Sequence, residues 1–343
     1  MIGAGSWGTT VAAIAAPRAP TVLWARRAEL AEQIDTVHRN LDYLPDHELP
    51  HQLRATSSLV DAASGAGLVV MAVPSHGFRA VLRSLAPHLP PGVAVLSLAK
   101  GLERHSHLRM TQVVAEEAPG HPAGVLSGPN LAHEIAAGQP AATVVAMTDA
   151  AVAAEVQQLL LTDTFRIYTN PDVVGCEMAG ATKNVLAVAA GISAGLGLGD
   201  SSTAALITRG LAELGRLVVA MGGERLTVAS LAGVGDLVAT CTSPLSRNRR
   251  VGVELGKGRP LAEVLADTRM VAEGIKSARP LVQLAGAHRV EMPIAEQVTA
   301  VVEGRTTPDE VLRALMGRSA KAEFEGLLAP GPPVGSAKRS RSR

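Results

Sequence analysis

Short, unbroken apolar runs alternate with amphipathic segments through the first half of this chain. The runs are Gly67–Val73, Val93–Leu98, Gly124–Ser127 and Thr143–Met147. They do not alternate apolar with polar, which is the pattern of strands buried on both faces. Segments of helical character, such as Phe78–Leu85 and Thr111–Ala118, lie between them. The rhythm is βαβ and predicts a mostly parallel sheet. From about Asp172 the strand pattern stops. Ala/Leu/Val-rich stretches broken by Gly and Pro follow at Cys176–Ala194, Ser202–Met221, Leu261–Val264, Ala278–Leu284, Ala295–Val302 and Pro308–Leu315. They predict an all-helical second half, and the turn-forming Tyr168–Asp172 marks the boundary. The expected fold class is α/β: a sheet domain over residues 1–170, an all-α domain over 171–328 and a disordered basic tail over 329–343.

The first residues carry chemistry. Gly3-Ala4-Gly5-Ser6-Trp7-Gly8 fits G-x-G-x-x-G and precedes a helix-like run, Thr9–Ala16. Glycines there permit a tight turn and let backbone amides at a helix N-terminus approach a pyrophosphate. Gly3, Gly5 and Gly8, with Ser6 and Trp7 between them, are therefore candidate cofactor residues of a Rossmann-type domain. An acidic residue is expected about 20 positions on if the ligand is NAD. This chain has Arg26 and Arg27 after the extended Thr21–Trp24. Guanidinium groups suit a 2′-phosphate, so NADPH is the preferred cofactor, with NAD as the lesser one. Only Met1 and Ile2 precede Gly3, so the sheet is expected to lack most of its central strand, and the chain start reads as placed too late.

Composition narrows the picture. The 343 residues are 47% hydrophobic and 2% aromatic, so Ala, Val and Leu carry the packing. The net charge is +1, and removing Lys338, Arg339, Arg341 and Arg343 of the tail takes it to −3. No acidic macromolecular partner is implied, and neither nucleic acid nor membrane is expected. Two cysteines, Cys176 and Cys241, make no disulfide framework and point to a reducing compartment. The weakly polar Asn184–Gly199 is glycine-rich and short for a membrane span. With no secretory signal pattern, the expectation is a cytoplasmic protein. Histidines are scattered without metal-ligand spacing, so no metal is expected, and no G-x-S-x-G elbow suggests hydrolysis.

Ligands of open parallel sheets bind beyond the carboxyl ends of the strands. Three apolar runs end there in unusual loops: Val73-Pro74-Ser75, Ala99-Lys100-Gly101 and Ser127-Gly128-Pro129-Asn130. Lys100 follows directly on a buried strand, where a charge is costly unless it is used or solvated. Lys183 is the single charge between Glu177 and Asp200, inside an apolar helix. Burial there would lower its pKa toward the range useful for acid–base work. Asp236 stands in Gly233-Val234-Gly235-Asp236-Leu237, and Ser246-Arg247-Asn248 groups a hydroxyl, a guanidinium and an amide that suit a phosphate.

Read together, these segments carry a resemblance. Gly3–Thr9, Val73-Pro-Ser75, Ala99–Glu103, Ser127-Gly-Pro129, Ala181–Val185, Ala204–Gly210, Gly233–Leu237 and Ser246-Arg-Asn248 occur in order. As a set, from Ile2 to about residue 325, the chain resembles the bacterial NAD(P)-dependent glycerol-3-phosphate dehydrogenases. The resemblance implies reduction of dihydroxyacetone phosphate to sn-glycerol 3-phosphate for phospholipid synthesis, by a protein that is commonly a homodimer. It makes Lys183 the catalytic acid. Substrate would meet Lys100, Gly128, Asn130, Lys183, Asp236, Ser246, Arg247 and Asn248. The cofactor would meet Gly3, Gly5, Ser6, Trp7, Gly8, Arg26, Arg27, Lys100, Ala132, Arg247, Val271 and Glu273. Asn130 stands where the family has Ser, and Ser201 where it has Asn. A reductase of another hydroxy acid, of the ketopantoate type, and a cofactor-binding protein without activity are the alternatives. The phosphate-suited Ser246-Arg247-Asn248 argues against the first of these, and the short first strand motivates the second.

Overall fold

The computed structural model describes residues 1–267, 272–320 and 322–323. Val271 and the segment 329–343 lie outside them. In chain order the first half runs α1 (Ser6–Ala15), β1 (Thr21–Trp24), α2 (Ala28–Val37), β2 (Arg39–Asn40), β3 (Leu44–Glu48), β4 (Leu53–Thr56), α3 (Leu59–Ala63), β5 (Leu68–Met71) and α4 (Ser75–Leu85). Then come β6 (Ala94–Ser97), α5 (Met110–Glu117), β7 (Ala123–Ser127), α6 (Ala132–Ala136), β8 (Ala141–Met147), α7 (Ala150–Leu160) and β9 (Phe165–Asn170).

β5 to β9 form one sheet in sequence order, parallel except where β7 meets β8. β1 pairs in parallel with β4. Ile2 closes the gap between the two groups, bridging in parallel to Trp24 and to Met71. Ile2 N donates to Val70 O (2.8 Å), Ala72 N to Ile2 O (2.7 Å), Gly3 N to Trp24 O (3.0 Å) and Trp24 N to Met1 O (2.8 Å). The sheet is expected to lack most of its central strand, yet these bonds hold the first glycine of the turn on both sides. β9 is a further correction. It runs through Tyr168–Asn170, which reads as a turn, because Phe165 and Ile167 are buried while Arg166, Tyr168 and Thr169 are exposed. That alternation marks an edge strand with one wet face, whereas unbroken apolar runs find only strands buried on both faces.

The second half is helical: α8 (Val173–Gly195), α9 (Asp200–Ala220), α10 (Arg225–Val228), α11 (Asp236–Thr242), α12 (Arg247–Gly256), α13 (Leu261–Ala266), α14 (Glu273–Ala287), α15 (Pro293–Val302) and α16 (Pro308–Met316). Asp172 starts α8 by accepting from Gly175 N at 2.8 Å, satisfying an orphan amide of the first turn. α8 is buried on nearly all sides, the condition of a helix apolar all round. By length and composition it is the one helix among the described residues that could cross a membrane, yet 94% of its apolar window is buried inside the protein. α12 lies against it in backbone contact. A Cβ on Gly191 would come within 2.8 Å of Gly252 Cα, and one on Gly195 within 2.8 Å of Gly256 Cα. Only glycine permits that approach, which draws the first turn of α12 toward Lys183 and Asn184.

Candidate active site

The carboxyl end of β7 and the loop after β6 meet the middle of α8. Gly180 makes this possible, because a Cβ there would stand 3.2 Å from Ser127 Oγ and 3.5 Å from Lys100 Cγ. Lys100 Nζ donates to Gly128 O (2.7 Å) and to Asp236 Oδ2 (2.8 Å). Lys183 Nζ donates to Asp236 Oδ1 (2.8 Å) and to Thr240 Oγ1 (2.7 Å). Thr240 Oγ1 in turn donates to Asp236 O (2.7 Å), one helical turn back. Asp236 opens α11 just after the π-helical turn Leu231–Gly235, and it is 1% exposed. One carboxylate is thus shared by two ammonium groups, one from each half of the chain. An ammonium has three donors. Each lysine spends two on protein and keeps one for a ligand.

The electrostatics follow from burial. Loss of solvation alone would raise the Asp236 carboxyl, but Lys100 and Lys183 overcome it and hold it below the usual carboxylate range. Burial pushes the Lys100 ammonium down to about 8, against the pull of Asp236 and with the repulsion of Lys183. Glu273, at the start of α14, is pushed above the usual range by burial despite Arg247 nearby and a hydrogen bond from the Ser75 amide. The three groups sum to one net positive charge at Lys100–Asp236–Lys183, in surroundings that screen it little. Such a place favours an anionic ligand and a charge that develops on oxygen.

A line of amides joins this center to α12. Asn184 Nδ2 donates to Lys100 O (2.8 Å), Asn248 Nδ2 to Asn184 Oδ1 (2.9 Å), and Gly274 N to Asn248 Oδ1 (2.9 Å). Ser246 caps α12 by accepting from Arg249 N (3.3 Å), and Arg247 is exposed. The first turn of α12 therefore offers a guanidinium and helix N-terminal amides, the elements of a phosphate site. Asn130, standing where the family has Ser, bonds within the protein. One N–H of its Nδ2 donates to Thr143 Oγ1 (3.0 Å), the other is free, and its buried Oδ1 has no partner among the described residues. Asn184 and Thr240 were missed as site residues. Asn184 adjoins Lys183 in the sequence, and Thr240 stands four after Asp236 on one helix face.

The glycine turn fits a dinucleotide. Gly3, at φ +119°, would place a Cβ 2.6 Å from Ala72 O, and Gly8 would place one 2.7 Å from Ala72 Cβ. Gly5 faces open space and precedes α1 with no side chain capping it, so the first amides of α1 are free for a pyrophosphate. Ser6 Oγ donates to Tyr43 O (2.7 Å), and Trp7 packs edge-on against Phe165 at 6.1 Å between centroids. Ala132 opens α6 beside α1, its carbonyl accepting from Thr10 Oγ1 (3.3 Å). Arg26 is exposed and has no side-chain partner among the described residues, whereas Arg27 pairs with Asp42. Ser201 is not at the site. It lines a cavity of about 1240 Å³ among α8, α9, α15 and α16, which includes none of Lys100, Lys183 or Asp236.

A dinucleotide turn on a mostly parallel sheet, together with a helical half that brings Lys183 and Asp236 to Lys100, defines a two-domain NAD(P)-linked oxidoreductase. The comparisons agree. Residues 1–153 match the family described as NAD-dependent glycerol-3-phosphate dehydrogenase N-terminus, and residues 172–313 match its C-terminus. The chain belongs to that family. A relative in Sphingopyxis alaskensis, named glycerol-3-phosphate dehydrogenase NAD(P)+ 2, is 53% identical over 319 residues, covering 93% of this chain and 96% of its own. One in Thermobifida fusca, named glycerol-3-phosphate dehydrogenase NAD(P)+, is 51% identical over 331 residues, with 95% and 98% covered. The crystal structure of glycerol-3-phosphate dehydrogenase from Coxiella burnetii superposes with a TM-score of 0.88 at 37% identity, over 92% of this chain and 98% of that one.

Proposed function

We propose that the chain reduces dihydroxyacetone phosphate to sn-glycerol 3-phosphate with NADPH preferred over NADH, supplying glycerophospholipid synthesis as a cytoplasmic homodimer. Residues 1–170 are the cofactor-binding unit and 171–328 the substrate unit. The observation that carries the reading is Asp236 shared between Lys100 and Lys183. When bound, the nicotinamide supplies a hydride to the carbonyl carbon. Lys183 Nζ gives its proton to the carbonyl oxygen, which becomes the secondary hydroxyl, and Asp236 holds that ammonium in place. The remaining donor of Lys100 binds the same oxygen or its neighbouring hydroxyl. Arg247, Ser246 and Asn248 at α12 take the phosphate, which a ketopantoate-type substrate would not offer. Glu273 borders the cofactor, and Arg247 borders both ligands. Support for the cytoplasm is the pair of buried free thiols, Cys176 and Cys241, which burial pushes up to about 12 and so keeps unreactive.

The test is NADPH oxidation on adding dihydroxyacetone phosphate, with NADH and ketopantoate run alongside. Oxidation specific to the phosphorylated ketone is the expected result. Turnover of ketopantoate alone, or cofactor binding without turnover of either ketone, would overturn the reading.

Lys100 gives the site a pH limb. Its ammonium is charged below pH about 8 and neutral above. The kcat/KM for dihydroxyacetone phosphate is therefore expected to fall about tenfold per pH unit above that value. Lys100→Arg should be slower but lose the limb, since a guanidinium stays charged. A limb unchanged in Lys100→Arg would assign it to another group. The same shift, downward from 10.5, penalises the folded cation, so this lysine adds stability as pH rises from about 8 to 10.5.

A further inference from the structure

The arginine pair after β1 is not symmetric, and a nearby acid makes the difference. Arg27 is the residue before α2, and its guanidinium is held by Asp42 Oδ2. Asp42 lies on the loop between β2 and β3, and that loop is tied to the glycine turn. Asn40, fully buried, donates from Nδ2 to Ala4 O (2.9 Å) and Thr9 Oγ1 (2.8 Å). Its Oδ1 accepts from Tyr43 N (3.2 Å), while Tyr43 O accepts from Ser6 Oγ (2.7 Å). Leu41 N donates to Gln33 Oε1 of α2 (3.2 Å). Residues on both sides of Asp42 are thereby fixed to the turn and to α2, so its carboxylate stays beside Arg27.

We propose that Asp42 sets the cofactor preference of this site, by occupying as an anion the guanidinium of Arg27 that the 2′-phosphate of NADP would take. This rests on the NADP reading above. Arg26, Arg27 and Asp42 together carry one positive charge, and a phosphate monoester brings about −1.5 to −2. NADP must share or displace the carboxylate, whereas NAD, with a 2′-hydroxyl, need not. Arg26, without a side-chain partner among the described residues, is the guanidinium that meets the phosphate first. Asp42 therefore favours NAD relative to NADP, and it moderates a preference that the two arginines alone would make steeper.

The test separates the phosphate from the rest of the cofactor. On the full chain, 2′,5′-ADP and 5′-AMP are titrated by calorimetry against wild type and Asp42→Asn. At low salt, Asp42→Asn should bind 2′,5′-ADP about five- to tenfold more tightly, the scale of one exposed charge a few ångströms away. Its 5′-AMP affinity should stay within about twofold, and the gain should shrink at high salt. In an Arg27→Gln background the same substitution should gain less than half as much, because the shared guanidinium is gone. Steady-state kinetics should show the KM for NADPH falling while that for NADH does not. Equal changes for both nucleotides, or weaker 2′,5′-ADP binding, would show that Asp42 only braces the loop and would overturn the proposal. A wild type that binds neither nucleotide would overturn the glycine-turn reading itself, and this proposal with it.

Discussion

Lys183→Ala is expected to cut the turnover of dihydroxyacetone phosphate by about a thousandfold or more, toward the upper end of what a positioned acid contributes. The NADPH affinity should stay within about twofold, since the glycine turn and Arg26 lie on the other domain. The effect should be large because nothing nearby can take over. Lys183 is 7% exposed, its helix is buried on nearly all sides, and the neighbouring Lys100 spends two donors on Gly128 O and Asp236. Lys183→Arg should not restore the rate, because a guanidinium stays charged at neutral pH and gives up no proton. Small primary amines added to Lys183→Ala should restore part of it, filling the space with a proton donor. Turnover near wild type in Lys183→Ala would remove this residue from the proton-transfer step. Lost turnover with no amine rescue and a lowered melting temperature would make it a structural cation.

The parts of this site differed in how far they could be read in advance. Lys183 stood out as the single charge between Glu177 and Asp200 in an apolar stretch, and Lys100 because it ended a buried run. Both are local signals, present in a window of a few residues. The carboxylate between them is not local. Asp236 lies 136 positions from Lys100 and 53 from Lys183, and nothing in Gly-Val-Gly-Asp says which cation it faces. Asn184 lies in a legible motif but shows no role there, because its task, bridging Lys100 O to Asn248, exists only once α8, the loop after β6 and α12 meet. The Arg27–Asp42 pair was hidden for the same reason, and the two arginines read as equivalent. In the fold, unbroken apolar runs found β5 to β8, while the edge strand β9, half wet, passed for a turn. The short first strand read as a defect. What the sequence could not show is that Met1–Gly3 would fill the gap between β1 and β5 by backbone bonds, which depend on position and not on side chains.

The shared carboxylate makes the second large effect, and it should appear in stability as well as rate. Asp236→Asn removes the one negative charge between two buried ammonium groups that otherwise repel each other. Breaking a buried pair in this way typically costs about 3–5 kcal/mol. The sign with pH is fixed. Burial already lowers the Lys100 pKa and Asp236 opposes that shift, so without Asp236 Lys100 holds its proton less firmly still in the folded state, the unfolded chain binds more protons and stability rises with pH. The melting temperature of Asp236→Asn should therefore lie well below wild type at pH about 7 and approach it as pH climbs toward 10. Turnover should be lost across the whole range, because the amide has one acceptor oxygen for two lysines and no charge to hold the Lys183 ammonium in place. Adding Lys100→Met to Asp236→Asn removes one of the repelling charges and should recover much of the melting temperature without recovering activity. A deficit independent of pH would mean that Asp236 acts through packing at the start of α11. Recovery of activity along with stability would mean that Lys100 and Asp236 serve the fold only. The expected split, stability regained and chemistry still absent, is what separates an aligned proton donor from a buried ion pair that merely holds two domains together.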